Sequence, residues 1–146
     1  MKITVEYIAS GEDEIVLKCR QLDSKMQRIL SFIEESMEKM VVQKGYEKFL
    51  LQPDDVFYVE AVDNKTFVYT KDAVLETQDT LNNIENKYYN VGLIRIGKSQ
   101  LVNLNHIKKL KSISNSRIEV TLESDERLVV SRHYARMFKS RLGLDN

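Results

Sequence analysis

From about residue 46 onward, short hydrophobic runs follow one another at brief intervals, separated by polar turn sequences. Runs of roughly four to eight residues that are bounded by Asp, Asn, Gly, Ser or Pro are typical of β-strands rather than helices. The predicted strands cover residues 48–51, 56–62, 66–70, 73–76, 92–96, 101–104, 107–113, 117–122 and 127–130. This succession of short strands constrains the region to a mainly β domain.

Two helices are predicted within this β-rich region, at residues 80–88 and 131–142. Each has three apolar residues on one face, Leu81, Ile84 and Tyr88 in the first and Tyr134, Phe138 and Leu142 in the second. Such spacing indicates helices that pack on the sheets. Ser131 is a suitable N-cap for the second helix, and Gly143 is suited to end it.

The first 42 residues predict a small appendage. Residues 2–20 alternate between apolar and polar side chains around a turn, which predicts a β-hairpin with Cys19 as a small buried residue. Asp23 is a suitable N-cap for an amphipathic helix that extends to Met40. No linker rich in Pro, Gly or Ser follows, so we expect residues 1–42 to dock on a domain of residues 43–146.

The predicted N-terminal helix carries an apolar stripe with two open interpretations. Its residues, spaced by four and three positions, are Met26, Leu30, Ile33, Met37 and Met40. The stripe can pack on its own hairpin or on the following domain, or it can form a dimer contact. Two heptads are short for a coiled coil, and methionine side chains give an adaptable surface.

The composition excludes several classes of protein. Cys19 is the only cysteine and the chain has 2 histidines, which argues against disulfides, a metal site and a catalytic triad. The sequence shows no membrane span and no apolar signal segment at its N-terminus. We therefore expect a cytoplasmic protein without a cofactor or a metal.

The acidic residues of the β region do not predict an active site. Asp54 and Asp55 are neighbours, and neighbouring side chains in a turn point apart, so a solvated turn or a 3₁₀ cap is favoured. Glu60 lies in an apolar run, where we expect it to pair with a basic group or a backbone donor. Glycine-rich phosphate loops and paired metal ligands are missing from the sequence. The sequence thus argues against an enzyme and against a small-molecule substrate.

Charge is distributed unevenly along the chain, although the formal net charge is zero. Residues 1–86 carry 10 basic and 17 acidic side chains, whereas residues 87–146 carry 12 basic and 5 acidic ones. Such asymmetry is one indication that the basic half binds nucleic acid. An ordinary dipolar protein with a solvated basic face is the alternative.

Three polar clusters lie at predicted strand or helix ends, where side chains project freely. They consist of Asn64, Lys65 and Thr66, then Lys98, Ser99 and Gln100, and finally Ser131, Arg132 and His133, with Arg136 one turn further along the helix. Lys, Gln and Arg can donate to base edges, Ser can contact phosphate, and a helix N-terminus favours an anion. Each cluster alone is an ordinary polar turn, but the three together favour a nucleic-acid interface.

Residues 55–61, 95–107, 117–122 and 129–135 form four distinctive blocks of the sequence. In this order, the blocks resemble the LytTR DNA-binding domain of bacterial transcriptional regulators of the LytR/AgrA type. The two most specific read Arg95-Ile96-Gly97-Lys98-Ser99-Gln100-Leu101-Val102-Asn103-Leu104-Asn105-His106-Ile107 and Val129-Val130-Ser131-Arg132-His133-Tyr134-Ala135. The whole chain is similar to small stand-alone members of this family that have no receiver domain.

The resemblance implies an elongated domain of mostly antiparallel sheets with short helices. In the family, loops along one edge enter successive major grooves and the DNA bends toward the protein. The corresponding loops are Asn64, Lys65 and Thr66, then Gly97, Lys98 and Ser99, then Ser131, Arg132 and His133. Lys98 takes the place that contacts bases.

Two positions depart from the family pattern. Many members have a second arginine where this chain has His133, and neutral histidine supplies one donor instead of a fork of donors. We therefore expect weaker guanine recognition there. Gly97 stands where relatives often carry a polar or basic residue, so one contact is expected to be lost.

The sequence thus predicts a transcriptional regulator that binds a specific site on double-stranded DNA, without enzymatic activity. Lys98, Lys108, Lys109, Arg132 and Arg136 are expected to neutralise phosphates. The alternative is a protein-interaction module that uses the Met-rich helix to bind a partner, for which the family suggests a small membrane protein. The apolar stripe and the family's paired DNA sites also predict a homodimer.

Overall fold

The computed structural model describes residues 1–144, which form mainly antiparallel sheets with short helices. The strands are β1 (Met40–Lys44), β2 (Glu47–Leu51), β3 (Tyr58–Val62), β4 (Lys65–Tyr69), β5 (Val74–Thr77), β6 (Leu93–Gly97), β7 (Gln100–Asn103), β8 (Ile107–Ile113), β9 (Arg117–Leu122) and β10 (Arg127–Val130). The helices are α1 (Ser24–Met37), α2 (Leu81–Tyr88) and α3 (Arg132–Arg141). Short 3₁₀ turns cover Pro53–Asp55, Tyr89–Val91 and Leu104–His106. The predicted β class is confirmed.

Seven strands form the larger sheet in the order β2-β1-β5-β4-β3-β7-β6, and three form a smaller one in the order β10-β9-β8. Because side chains alternate between the faces of a sheet, the larger sheet buries apolar residues on both sides. One core lies between this sheet and α2 and includes Val59, Val68, Leu101 and Ile84. The other lies between it, the smaller sheet and α3 and includes Ile96, Val102, Val120, Val130 and Phe138.

Helix α3 begins and ends as predicted. Ser131 is its N-cap residue, and Phe138 is buried on its inner face. Gly143 has a φ of 75°, and its N–H donates to the Ser140 carbonyl at 3.0 Å while Leu144 N–H donates to Lys139 at 2.7 Å. These two bonds satisfy carbonyls that the helix leaves free, and the left-handed conformation favours glycine.

The hairpin predicted over residues 2–20 is not present, because residues 1–23 contain neither helix nor strand. Ile3, Val5 and Tyr7 are 89%, 71% and 96% exposed, and Cys19 is exposed instead of buried. A hairpin of two strands is only marginally stable unless its apolar face is covered. Among residues 1–144, nothing covers the apolar side chains of residues 2–20. The prediction was wrong because alternation indicates a face to bury but not a partner for it.

Helix α1 starts as predicted but ends earlier. The Asp23 carboxylate accepts the Met26 N–H at 2.9 Å, which confirms the N-cap. The helix ends at Met37, and Met40 is instead the buried first residue of β1, opposite Leu51 in β2. Strand β1 was missed because its apolar residues continue the helical stripe. The predicted boundary between residues 42 and 43 falls inside this strand.

Polar contacts attach the end of α1 to its own domain. Lys87 of α2 forms an ion pair with Glu38 at 2.9 Å, and Asn90 donates to the Glu35 carboxylate at 3.3 Å. None of the residues of α1 is buried, and Phe32 and Met37 are 46% and 69% exposed. Within residues 1–144, the helices are all too short or too polar to cross a membrane.

Candidate nucleic-acid interface

Tip A, residues 63–66, is the turn between β3 and β4. The register pairs Val62 with Lys65, so Asp63 and Asn64 form the turn, with φ values of 50° and 64°. Two central residues with positive φ make a type I′ turn, which Asp and Asn tolerate well. Asn64 and Lys65 are exposed, and the Lys65 ammonium lies 4.0 Å from the carboxylate of Glu76.

Thr66 does not join the exposed part of tip A. It is the second residue of β4 and 7% exposed, between Ala61 and Thr77 on the neighbouring strands. A contact from its side chain would require the strand to move. The sequence pattern marked the turn correctly but extended it by two residues, Lys65 and Thr66, into the sheet.

Tip B, residues 97–100, is the turn between β6 and β7. Lys98 and Ser99 are exposed at its end, and neither has a positive φ. The strand register is irregular between Arg95 and Gly97, which indicates a β-bulge. A two-residue turn without positive φ tends to splay its strands, so other contacts must hold tip B.

Arg95 supplies those contacts and was not singled out in the sequence. Its guanidinium donates to the Lys98 carbonyl at 3.1 Å and to the Asn82 side-chain oxygen. Its Nε also lies 3.3 Å from the Glu85 carboxylate, and its side chain is only 13% exposed. Arg95 thereby ties tip B to the first turns of α2. An arginine within a strand pattern gave no signal of this role.

Gln100, a predicted DNA contact, is already engaged. Its side-chain amide donates to the Glu60 carboxylate at 2.6 Å, and both residues are half-buried. The expectation that Glu60 pairs with a basic group or a backbone donor was therefore wrong. The bond leaves the Gln100 amide oxygen as the acceptor that can face a ligand.

Tip C, residues 131–133, is the start of α3. The Ser131 N–H donates to the Ile96 carbonyl at 2.8 Å, which holds the helix start next to tip B. Arg132 and His133 are exposed, and Arg136 is exposed one turn later. The His133 ring meets Tyr134 edge-on, with ring centres 4.8 Å apart. The Ser131 side chain makes no capping hydrogen bond within the described part of the chain.

Backbone pairing brings the three tips to one edge. Tips A and B are adjacent because Ala61 N–H, near the end of β3, donates to the Ser99 carbonyl at 2.9 Å. Tip C lies next to tip B because the Ser131 N–H donates to the Ile96 carbonyl. The edge presents four exposed basic side chains, Lys65, Lys98, Arg132 and Arg136. The acidic groups near it include Asp63, Glu60, Glu76 and Glu85, of which the last three are half-buried and partnered.

Lys108 is not part of this edge. It lies near the start of β8, at the end of the smaller sheet away from tip C, and bonds to the Asp125 carboxylate at 2.5 Å. That hydrogen bond, with the lysine charge, lowers the pKa of Asp125. The predicted phosphate role of Lys108 therefore does not fit its position. The partner is 17 residues away, too far for a local pattern to show.

Asp55 and His106 make contacts that stabilise the fold at the end of the strands away from the tips. Asp55 accepts the Gln52 N–H at 3.0 Å and so caps a 3₁₀ turn, as expected. His106 stacks on Phe57 with ring centres 4.1 Å apart, at the edge opposite the tips. Among residues 1–144, no group of His, Cys, Asp or Glu side chains is arranged to hold a metal ion.

Comparisons with known proteins point to one family. The family model of the LytTr DNA-binding domain matches residues 46–143. The chain is 29% identical to the sensory transduction protein LytT of Bacillus cereus, over 86% of this chain and 51% of that protein. It is 24% identical to the transcriptional regulatory protein LytR of Staphylococcus aureus, over 90% of this chain and 56% of the relative. The chain thus spans about half the length of these relatives.

A solved structure gives the same result for the fold. It is a LytTr DNA-binding domain from Bacillus cereus, with a TM-score of 0.69 and 27% sequence identity. The similarity covers 73% of this chain and 97% of that domain. Almost the whole of that domain is therefore matched by a part of this chain.

Proposed function

The chain belongs to the LytTr DNA-binding domain family, and from this premise we propose that it regulates transcription by binding a specific site on double-stranded DNA. The family points to a regulator that acts without enzymatic activity. The observation that carries the proposal is the meeting of tips A, B and C at one edge with exposed basic side chains. A cationic edge of this kind attracts phosphates, and projecting tips reach into grooves.

We assign the contacts by the reach and chemistry of each side chain. Asn64, Lys98 and Arg132 stand at the ends of the three tips and carry donors that suit base edges in the major groove. Lys65 and Arg136 are placed beside them, where they can neutralise phosphates. Ser99 and His133 complete the contacts as single donors to phosphate or a base.

The width of the edge supports binding to bent DNA. Four adjacent strands, from β4 to β6, span about 15 Å at the usual strand spacing, and a helix adds roughly 10 Å. Successive major grooves of straight DNA lie about 34 Å apart. An edge of about 25 Å matches that repeat better when the duplex bends toward the protein, because bending brings the inner grooves closer.

Two substitutions test the proposal. Lys98→Ala and Arg132→Ala should each weaken binding to the specific duplex by about 1–3 kcal/mol if these side chains contact bases. Lys71→Ala is the matched control, because Lys71 is exposed in the turn at the opposite end of β4. Gel-shift titration at fixed salt measures all three. Unchanged affinity in both tip variants would reject the assignment of the site.

The N-terminal part favours a second proposal, a contact between two copies of the chain. Residues 1–23 and α1 expose apolar side chains such as Ile3, Tyr7 and Phe32, which a second copy could cover. Sedimentation at micromolar concentration should give the dimer mass, and a monomer both free and on a two-site duplex would reject dimerisation. If a small membrane protein covers this surface instead, its binding should resist salt that abolishes DNA binding.

A further inference from the structure

The turn between β8 and β9 continues the row of tips. We call residues 114–117 tip D. Val130, the last residue of β10, pairs with Ile118 of β9. Ser131 of tip C directly follows Val130, and Arg117 of tip D directly precedes Ile118. Tips C and D are therefore neighbours. The order along the edge is therefore tip A, tip B, tip C and tip D.

Tip D has a fixed shape. Asn115 and Ser116 have φ values of 64° and 58°, so this turn, like tip A, uses left-handed residues. The Arg117 guanidinium donates to the Ser114 carbonyl at 3.1 Å and to the Ser114 hydroxyl at 3.4 Å. These bonds close the turn across its base and hold the cation within it. Ser114, Asn115 and Ser116 remain exposed.

The chemistry of tip D suits phosphate oxygens. Hydroxyl, amide and guanidinium donors are the groups that most often contact the sugar–phosphate backbone. Residues 107–118 contain three lysines and one arginine and have no acidic residue. The acidic side chains that face this strand pair are Glu119, opposite Lys111 in the register, and Asp125, bonded to Lys108 at the far end. The tip itself therefore carries net positive charge.

We propose that tip D is a fourth contact, which binds the phosphate backbone of duplex DNA next to the site contacted by tips A to C. This inference rests on the proposed function, since it needs a duplex lying along the same edge. We place the contact on the backbone because Arg117, the one long donor of tip D, is bonded back to Ser114 and does not project from the turn.

Two duplexes and one isosteric variant test this contact. The shorter duplex is the smallest one that retains specific binding by the Lys71→Ala control, and the longer one adds about five base pairs, or roughly 17 Å, at each end. Asn115→Asp places a negative charge at tip D and keeps a residue type that tolerates positive φ. We expect it to lower affinity by about 3- to 10-fold on the longer duplex and to leave the shorter one unaffected.

The matched control is Asn86→Asp, the same change at an exposed position of α2. It should leave binding to both duplexes unchanged. The unmodified chain should also show a steeper salt dependence on the longer duplex, by about one phosphate contact. If it binds both duplexes specifically with equal slopes, and Asn115→Asp changes neither, tip D is not a contact while the proposed function stands. If the Lys71→Ala control binds no duplex specifically, the proposed function is overturned instead.

Discussion

Tips A and B are neighbours at one edge of the same sheet, yet different interactions hold them. Tip A is shaped by its own backbone, because Asp63 and Asn64 both have positive φ. Tip B has no such residue and depends on Arg95, which bonds to the Lys98 carbonyl and to α2. The conformation of tip A is therefore determined locally, and that of tip B by residues that are distant in the sequence.

The difference matters because a binding loop must keep its shape to present donors at the right spacing. Ordering a loose loop on binding costs conformational entropy and lowers affinity. Tip A avoids that cost through its turn type and tip B through the packing of Arg95 against α2. The two tips should consequently respond to different substitutions.

The largest effect is expected for tip B. Arg95→Ala removes three interactions and leaves Glu85 without its partner, so the free energy of unfolding should fall by about 2–3 kcal/mol. Specific DNA affinity should fall more than tenfold, or about 1.4 kcal/mol, with an unchanged salt slope because the Arg95 guanidinium is already bonded within the protein. Urea denaturation and gel shifts at several salt concentrations measure these quantities.

The conservative variant provides the control for Arg95. Arg95→Lys keeps the charge but not the planar fork of donors. Its DNA affinity should therefore fall by most of the loss expected for Arg95→Ala. A salt slope that drops by about one contact in Arg95→Ala but not in Arg95→Lys would mean that the charge at position 95 binds phosphate directly. That result would remove the distinction between the two tips.

Tip A should respond to backbone preference. Asn64→Val places a β-branched residue at a φ of 64°, which should destabilise the fold by about 1–2 kcal/mol. Asn64→Gly permits the same φ, so its unfolding midpoint should stay close to that of the unmodified chain while DNA affinity falls through loss of the amide. Equal midpoints for the two variants would show that the turn type does not hold tip A.

At tip C, the start of α3 already fixes the backbone. The DNA affinity should therefore depend only on the hydrogen-bond donors of the side chains. His133→Arg supplies a fork of donors in place of a single ring donor. We expect tighter binding by about 1 kcal/mol, near the lower end of the range for a bidentate guanine contact. Selection of bound duplexes from a random pool should then show a guanine preference that the unmodified chain lacks.

The smallest effect is expected far from the tips. Lys108 lowers the pKa of Asp125, so the pair stabilises the folded state at pH values above the pKa of Asp125 in the unfolded chain. This stabilisation is lost as the pH falls through the lower pKa that Asp125 has in the folded chain. Asp125→Asn should lower the urea midpoint slightly at pH 7, and the difference should vanish in acid. DNA affinity should not change, because Lys108 lies at the other end of β8.

The sequence was sufficient for features that depend on local patterns. Strands at residues 107–113, 117–122 and 127–130 have the predicted bounds, and the caps at Asp23 and Gly143 are as expected. The turn of tip A was also predictable, since Asp and Asn favour positive φ. These features need only neighbours in the sequence, which is the information that periodicity and turn chemistry carry.

Features that depend on distant contacts could not be predicted. The bond between Gln100 and Glu60 joins residues 40 positions apart, and it changes what a predicted contact can offer. Residues 2–20 have the alternation of strands, but a strand forms only where another surface pairs with it. Strand β1 was not predicted because its apolar residues continue the helical stripe, whereas its partner strands, β2 and β5, decide its conformation.

One measurement tests most directly whether the tips lie along a single duplex. Because Cys19 is the only cysteine, a Cys19→Ser background allows a DNA-cleaving iron chelate to be attached at cysteines that replace Val62, Ser99 or Met137, one at a time. We predict cleavage centres on one face of the duplex, in that order, within about one helical turn. Cleavage that is unordered, or that arises from only one of the three positions, would contradict a shared edge.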